Sequence, residues 1–291
     1  MKKAIIILLI FSGTFYAHSQ ESMPSDTAKV WTKKGNFSLL FNQSNFNNWT
    51  AGGENTISGN IGVNYDFNYK KNDLTWDNKI IASYGLVKTK NAPFEKKTDD
   101  RLEFNSLGGK NLIGNWYFSV FINFRTQMTK GYIYGKDPNG MEIRSKYTNL
   151  FSPAYLTFGP GILWKKSNNL KCNFAPISSK ITIVDNDLTL PNNAYFGVKE
   201  GRSARYELGF YASGYYKFVV MANVSLENTL NLYSNYLDHP KNVDLDYQLN
   251  VVMKINKYLS TNLAFQTIYD DNAFQGFQTR QVFGVGVNFW F

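Results

Sequence analysis

From Asn36 to Phe291 the chain alternates apolar and polar residues with a period of two almost without interruption, and few folds can absorb such a pattern. Successive side chains of a strand point to opposite faces, whereas a helix would need apolar residues three and four apart. Ile57, Gly59, Ile61, Val63, Tyr65, Phe67 and Tyr69 form one face of a long strand, and Ser58, Asn60, Gly62, Asn64, Asp66 and Asn68 form the other. Phe118–Arg125, Val243–Asn256 and Leu263–Tyr269 repeat the pattern. In the final stretch Phe283, Val285, Val287, Phe289 and Phe291 lie opposite Gly284, Gly286, Asn288 and Trp290. A strand with so apolar a face needs partners on both edges and an apolar solvent, which a barrel closed in lipid supplies.

The breaks between runs come in two kinds that take turns. Short ones fall at Lys70–Asp73, Ile113–Asn115, Ser167–Asn169, Lys217–Phe218 and Asn256–Tyr258. Longer polar ones fall at Asn47–Asn55, Asn91–Thr98, Gly135–Asn149, Asp185–Gly201, Leu237–Asn242 and Asn272–Phe277. Short turns alternating with long loops predict an all-β fold, a transmembrane antiparallel β-barrel of about twelve strands, with ten or fourteen as neighbouring solutions. Both ends of the chain would then lie on the short-turn, periplasmic side. Pro176 is expected to interrupt the run from Lys171 to Val184, because proline cannot donate to a ladder. Phe67, Tyr69, Trp76, Trp116, Tyr117, Trp164, Tyr215, Tyr216, Tyr258 and Trp290 cluster near the short turns, as an interfacial girdle would. A soluble β-sandwich would explain the alternation but not this banding.

The front end reads as an export signal. Met1-Lys2-Lys3 is a basic n-region, Ala4–Phe11 an apolar h-region and Ala17-His18-Ser19 a small-x-small cleavage site. The expected division is a signal peptide at 1–19, a short periplasmic leader at 20–35 and the barrel at 36–291. Aromatics make up 16 % of the chain, yet its mean hydropathy is only −0.33. That combination suits strands with one face in lipid. The formal charge of +9 is matched by no nucleic-acid motif, and lysines and arginines can meet anionic headgroups instead.

The phase of alternation assigns the lumen. Lys79, Arg101, Arg125, Lys165, Arg205, Lys254 and Arg280 are expected to point inward, with Asp66, Asp77, Glu103, Glu207, Glu227, Asp244, Asp246 and Asp270. The signs nearly cancel, which favours a packed network of ion pairs over the one-signed wall of a selective pore. The expected partners are outer-membrane lipid, the outer-membrane assembly machinery and other envelope proteins, with no nucleic acid. A bulge would shift these assignments by one residue.

Chemistry is sparse. His239 is the one histidine beyond the signal peptide, within Leu237-Asp238-His239-Pro240, and Ser234 is near in sequence. An acid–base hydrolase would use such a pair, so His239 and Asp238 are weak candidates beside the reading of a histidine in a polar loop. One cysteine, Cys172, rules out an intrachain disulfide framework, and it reads as a small apolar filler. No zinc site of ordinary composition can be assembled, and Asp185/Asp187 and Asp270/Asp271 match no calcium-loop spacing. No cofactor and no metal are expected. Gly52-Gly53 beside Trp49 reads as a tight loop turn that could touch lipid headgroups or a partner, with no following helix to make it a phosphate cradle.

The segments Phe41–Asn55 (with Asn48-Trp49-Thr50-Ala51-Gly52-Gly53 at its centre), Ser152–Tyr155, Tyr233–Tyr236 and Ile268–Asp271 resemble an uncharacterised family of exported proteins from Bacteroidota. That resemblance implies an outer-membrane barrel in a Gram-negative bacterium and carries no activity, substrate or catalytic residue. Phe291 also resembles the terminal aromatic by which the assembly machinery recognises barrels, with Trp290 beside it. The expected function is a non-enzymatic outer-membrane barrel acting through its external loops or within an envelope complex. A narrow solute channel is the alternative, and an outer-membrane hydrolase using His239 is the second alternative.

Overall fold

The structure, a computed structural model, describes residues 30–47, 54–189 and 195–291. Five strands come first: β1 (Trp31–Ser44), β2 (Thr56–Lys71), β3 (Leu74–Thr89), β4 (Lys96–Ile113) and β5 (Trp116–Thr126). A two-stranded hairpin follows, β6 (Gly131–Lys136) with β7 (Glu142–Thr148). Next come β8 (Ala154–Ser167), β9 (Leu170–Ile183) and a single helical turn, α1 (Asn186–Thr189). The chain ends with β10 (Ala204–Met221), β11 (Val224–Asn235), β12 (Val243–Lys254), β13 (Leu259–Asp270) and β14 (Phe274–Trp290). All but β6 and β7 form one closed antiparallel barrel in the order β1-β14-β13-β12-β11-β10-β9-β8-β5-β4-β3-β2. The barrel thus has twelve strands, as the alternation predicts.

The two faces of these strands solve different solvation problems. Outward residues are large and apolar and remain exposed: Phe41, Phe118, Val120 and Phe283 are 57, 49, 52 and 61 % accessible. Inward residues are polar, and many are buried, including Arg101, Glu103, Lys165, Lys180, Glu207 and Gln248. Outward polar groups that do occur are satisfied locally. Trp76 donates its indole N–H to Ser106, whose hydroxyl donates to Asn78, and Asn78 in turn donates to the Phe67 carbonyl.

Short turns at β2–β3, β4–β5, β8–β9, β10–β11 and β12–β13 share one end with the start of β1 and the finish of β14. Two of these turns place Asn72 (φ 52°) and Gly114 (φ 56°) in the left-handed region, where asparagine and glycine are tolerated. An aromatic cluster lies at the same end. Trp31 packs against Phe67, Tyr69 and Trp76 at centroid distances of 6.5, 5.2 and 6.1 Å. Three residues expected in the outer girdle belong elsewhere: Tyr215 lines the lumen, Tyr117 shares the inward face of β5 with Ser119 and Phe121, and Trp290 faces inward under the Lys254 ammonium, 4.5 Å from its ring.

Other boundaries differ from the sequence reading. β1 begins at Trp31, inside the stretch assigned to the leader, because Trp31 already pairs with Tyr69. The break expected at Lys217–Phe218 is continuous strand, and the turn falls at Ala222–Asn223. The loop expected at Gly135–Asn149 contains most of the β6–β7 hairpin. β14 begins at Phe274, inside the break expected at Asn272–Phe277. β9 passes straight through Pro176.

That last difference has a physical solution. The registers of β9 with both neighbours shift by one residue across Pro176–Ile177, the signature of a bulge, which is where a sheet accommodates proline. The Pro176 carbonyl accepts a hydrogen bond from the Tyr236 hydroxyl at 2.9 Å. On β8, a Cβ at Gly161 would sit 2.6 Å from the Phe174 carbonyl oxygen, so glycine permits the close approach of the bulged strand.

The seam is the barrel's shortest ladder. β1 pairs with β14 only from Asn36↔Trp290 to Leu40↔Gly286, whereas β1 pairs with β2 along its whole length. Two further backbone hydrogen bonds, in both directions between Gly35 and Phe291, lengthen it by one residue.

Candidate functional site

The lumen holds most of the charged chemistry, and the twelve-strand order determines which residues can meet across it. β3 and β11 lie opposite each other, as do β4 and β12. Lys79 on β3 forms an ion pair with Glu227 on β11, so one bridge spans the barrel. Arg101 on β4 donates two hydrogen bonds to Glu103, both at 2.8 Å, and another to Gln248 on β12. Arg125 on β5 pairs with Asp246 on β12, and Gln266 on β13 donates to the same Asp246 at 2.9 Å. Arg280 on β14 pairs with Asp99 on β4. Arg101, Glu103, Gln248 and Asp99 are all at most 8 % accessible. Together these side chains form a septum across the middle of the barrel.

Below the septum, on the short-turn side, Phe121 of β5 and Tyr211 of β10 stack at 4.3 Å with planes 9° apart. The strands β8 and β9 separate these two, so the stack bridges a quarter of the barrel wall. Above the septum, Lys180 on β9 gathers three carboxylates: Asp244 at 2.6 Å, Asp270 at 3.0 Å and Glu207 at 3.7 Å. Arg205 and Asn235 also hold Glu207, at 3.0 and 3.1 Å. Asp244, Asp270 and Asp271 bring carboxylate oxygens within 4.8 Å of one another, and the Lys180 ammonium supplies the positive charge for the first two.

Of the inward residues expected from phase, Asp66, Asp77, Lys79, Arg101, Glu103, Arg125, Lys165, Arg205, Glu207, Glu227, Asp244, Asp246, Asp270 and Arg280 are brought together in ion pairs. Lys254 is not among them; it is exposed at the end of β12 and rests on the Trp290 ring. Sequence reasoning missed Lys171 and Lys180. The bulge at Pro176–Ile177 brings Lys171 and Lys180, of opposite parity, to the same side, and the proline itself is the signal. It also missed Asp99, whose parity with Arg101 and Glu103 identifies it.

The loop end is lined by aromatic rings. A cavity of about 380 Å³ there is bounded by Tyr132 and Tyr134 of the hairpin, Tyr147, Tyr155 and Phe196. Tyr195 donates its hydroxyl to the Tyr147 carbonyl at 2.6 Å, and burial pushes its phenol pKa up. Asp185 accepts from the Asn149 amide at 2.8 Å, which holds its carboxyl below the usual range. Three segments quoted for the family resemblance end near this level. Ser152 accepts from the Asp185 backbone N–H, the Tyr233 ring lies 5.2 Å beneath Lys180, and Asp270 binds Lys180. The fourth has its centre, with Trp49, Gly52 and Gly53, outside the described residues.

His239 and Asp238 lie side by side on an exposed loop. Their side chains are 79 and 57 % accessible and contact each other at 2.5 Å. The Ser234 hydroxyl donates to the Pro240 carbonyl at 2.7 Å, so its proton is directed away from the imidazole. Among the described residues no nucleophile is held against His239.

Residues 41–132 match the family model described as "Protein of unknown function (DUF3078)". No curated protein matches. Among solved structures, the chain is similar to the translocator domain of the autotransporter NalP from Neisseria meningitidis, at 8 % identity and a TM-score of 0.38, covering 89 % of this chain and 86 % of that one. It is similar to an outer membrane channel from Pseudomonas putida F1 at 11 % identity and a TM-score of 0.39, covering 93 and 99 %. The β domain of the Bordetella autotransporter BrkA aligns at 8 % identity and a TM-score of 0.35, covering 89 and 99 %.

Proposed function

We propose that the protein is an outer-membrane barrel with a closed lumen and a non-enzymatic role, acting through its long-loop end or as a component of an envelope complex. The observation that carries this reading is the set of bonds joining opposite walls: Lys79–Glu227, Arg101–Gln248 and Arg125–Asp246. A solute channel needs a continuous wet path, and these bridges with the Phe121–Tyr211 stack occupy it. The membrane setting is supported by the exposed apolar exterior of a closed sheet, since only a barrel leaves no unpaired strand edge in lipid. In the outer membrane of a Gram-negative bacterium, the short-turn end and both terminal strands would face the periplasm. Outer-membrane lipid then covers the outer face, and the assembly machinery engages the strand ending at Trp290 and Phe291. A Bacteroidota lineage is supported by the segment-level resemblance alone.

Heat-modifiable gel mobility of the protein purified from membranes tests the setting. Unheated and boiled samples are expected to run at different positions; a monomeric protein soluble without detergent would contradict it.

A further inference from the structure

The lumen is balanced as a whole but not along its axis. At the short-turn end it widens into a cavity of about 360 Å³. Asp77 is shared there by two ammonium groups, Lys165 and Lys171, each at 2.7 Å. Glu227 is likewise shared by Lys79 and by Lys217 at 3.2 Å, and Asp66 lies 3.9 Å from Lys79. With Lys34 on the same wall, four lysines line the cavity against Asp66, Asp77 and Glu227, and Lys165 adds a second ammonium on Asp77. Glu103 also reaches this cavity but is already held by two hydrogen bonds from Arg101. Toward the loop end the count is reversed, with Lys180 and Arg205 serving Asp244, Asp270 and Glu207.

A second observation points the same way. Asn173 on β9 lines the cavity and is 1 % accessible. Its carbonyl oxygen accepts from the Ser119 hydroxyl at 2.6 Å, while its amide nitrogen has no partner among the described residues. A buried donor without an acceptor is costly, and an acceptor entering the cavity would relieve it. The wall also offers ring surface. Tyr211 belongs to the stack with Phe121, and Tyr215 lies 5.6 and 5.2 Å from the Lys79 and Lys171 ammonium groups.

We propose that this cavity binds a small organic anion carrying carboxylate or phosphate groups. Lys171 and Lys217, each now sharing a carboxylate with another lysine, would turn to the ligand, and the Asn173 amide would donate to it. A cleft with an excess of one sign and low-dielectric walls concentrates its counter-ion. The site opens on the short-turn side and shares Lys79 and Glu227 with the septum.

Calorimetric titration of the full chain in detergent micelles tests this, with citrate and inorganic phosphate as probes and glucose as the uncharged control. Saturable binding of citrate or phosphate, weakened by added salt, is expected, with none for glucose. Which of the two binds tells carboxylate from phosphate. The double variant K171M/K217M should weaken binding about tenfold or more while keeping heat-modifiable mobility. If it does not fold, Asn173→Leu alone should weaken binding measurably. The proposal is overturned if neither anion binds up to about 10 mM, if glucose binds as well, or if the folded variants bind like the parent chain.

Discussion

Lys180→Met is expected to destabilise the folded barrel by about 3–5 kcal/mol, the cost of leaving buried charge without its partner. Lys180 is 6 % accessible and is the one cation shared by Asp244, Asp270 and Glu207, the last also held by Arg205. Methionine nearly matches its volume, so the loss is electrostatic and not a cavity. Asp244 and Asp270 would then repel each other across a small gap with no ammonium between them. The midpoint of the heat-modifiable mobility shift reads this out, and it should fall well below that of the parent chain. Adding Asp244→Asn and Asp270→Asn to Lys180→Met should recover part of the loss, because neutral amides tolerate burial when hydrogen-bonded. A drop of less than about 1 kcal/mol, the scale of an exposed pair, would show that the cluster is wetter than its geometry implies.

Removing Trp290 and Phe291 should reduce the inserted, heat-modifiable population about tenfold or more. The seam depends on them more than any other ladder would. It has only the pairs from Asn36↔Trp290 to Leu40↔Gly286, plus the two Gly35–Phe291 backbone bonds at 2.6 and 3.0 Å. Truncation deletes its outermost pair and those two bonds, exposing strand edge where each unpaired backbone group costs several kcal/mol in lipid. The Phe291 ring also stacks on Tyr65 at 6.0 Å and lies over Gly35, which has no Cβ to obstruct it. Phe291→Leu keeps the backbone bonds and should cost much less than the deletion. Membrane fractionation with immunodetection measures both, and normal levels of the truncated chain would contradict the importance of the seam.

The barrel is legible in the sequence because period-two alternation is a local property. Phe118 through Arg125 reveals its two faces without reference to any other strand, and the turns announce themselves through residues such as Asn72 and Gly114. What is not legible is anything set by counting across the whole sheet. The parity of Lys180 depends on a bulge two strands' width in effect, absorbed by both β8 and β10, and Pro176 looks like an interruption until its neighbours are seen to shift. Lys254 has inward parity but lies at the strand end, where alternation no longer determines burial. Arg101 and Gln248 lie far apart in sequence, and only the closure of twelve strands makes their walls opposite. The near-cancellation of inward charge is readable from phase, whereas its polarity along the axis requires the register of every strand.

The closed lumen is tested most directly by planar-bilayer recording of the purified protein. The bridges Lys79–Glu227, Arg101–Gln248 and Arg125–Asp246 predict a silent bilayer for the parent chain. The triple variant K79A/R101A/R125A, provided it retains heat-modifiable mobility, should show discrete conductance steps. Reproducible single-channel steps from the parent protein would contradict the account.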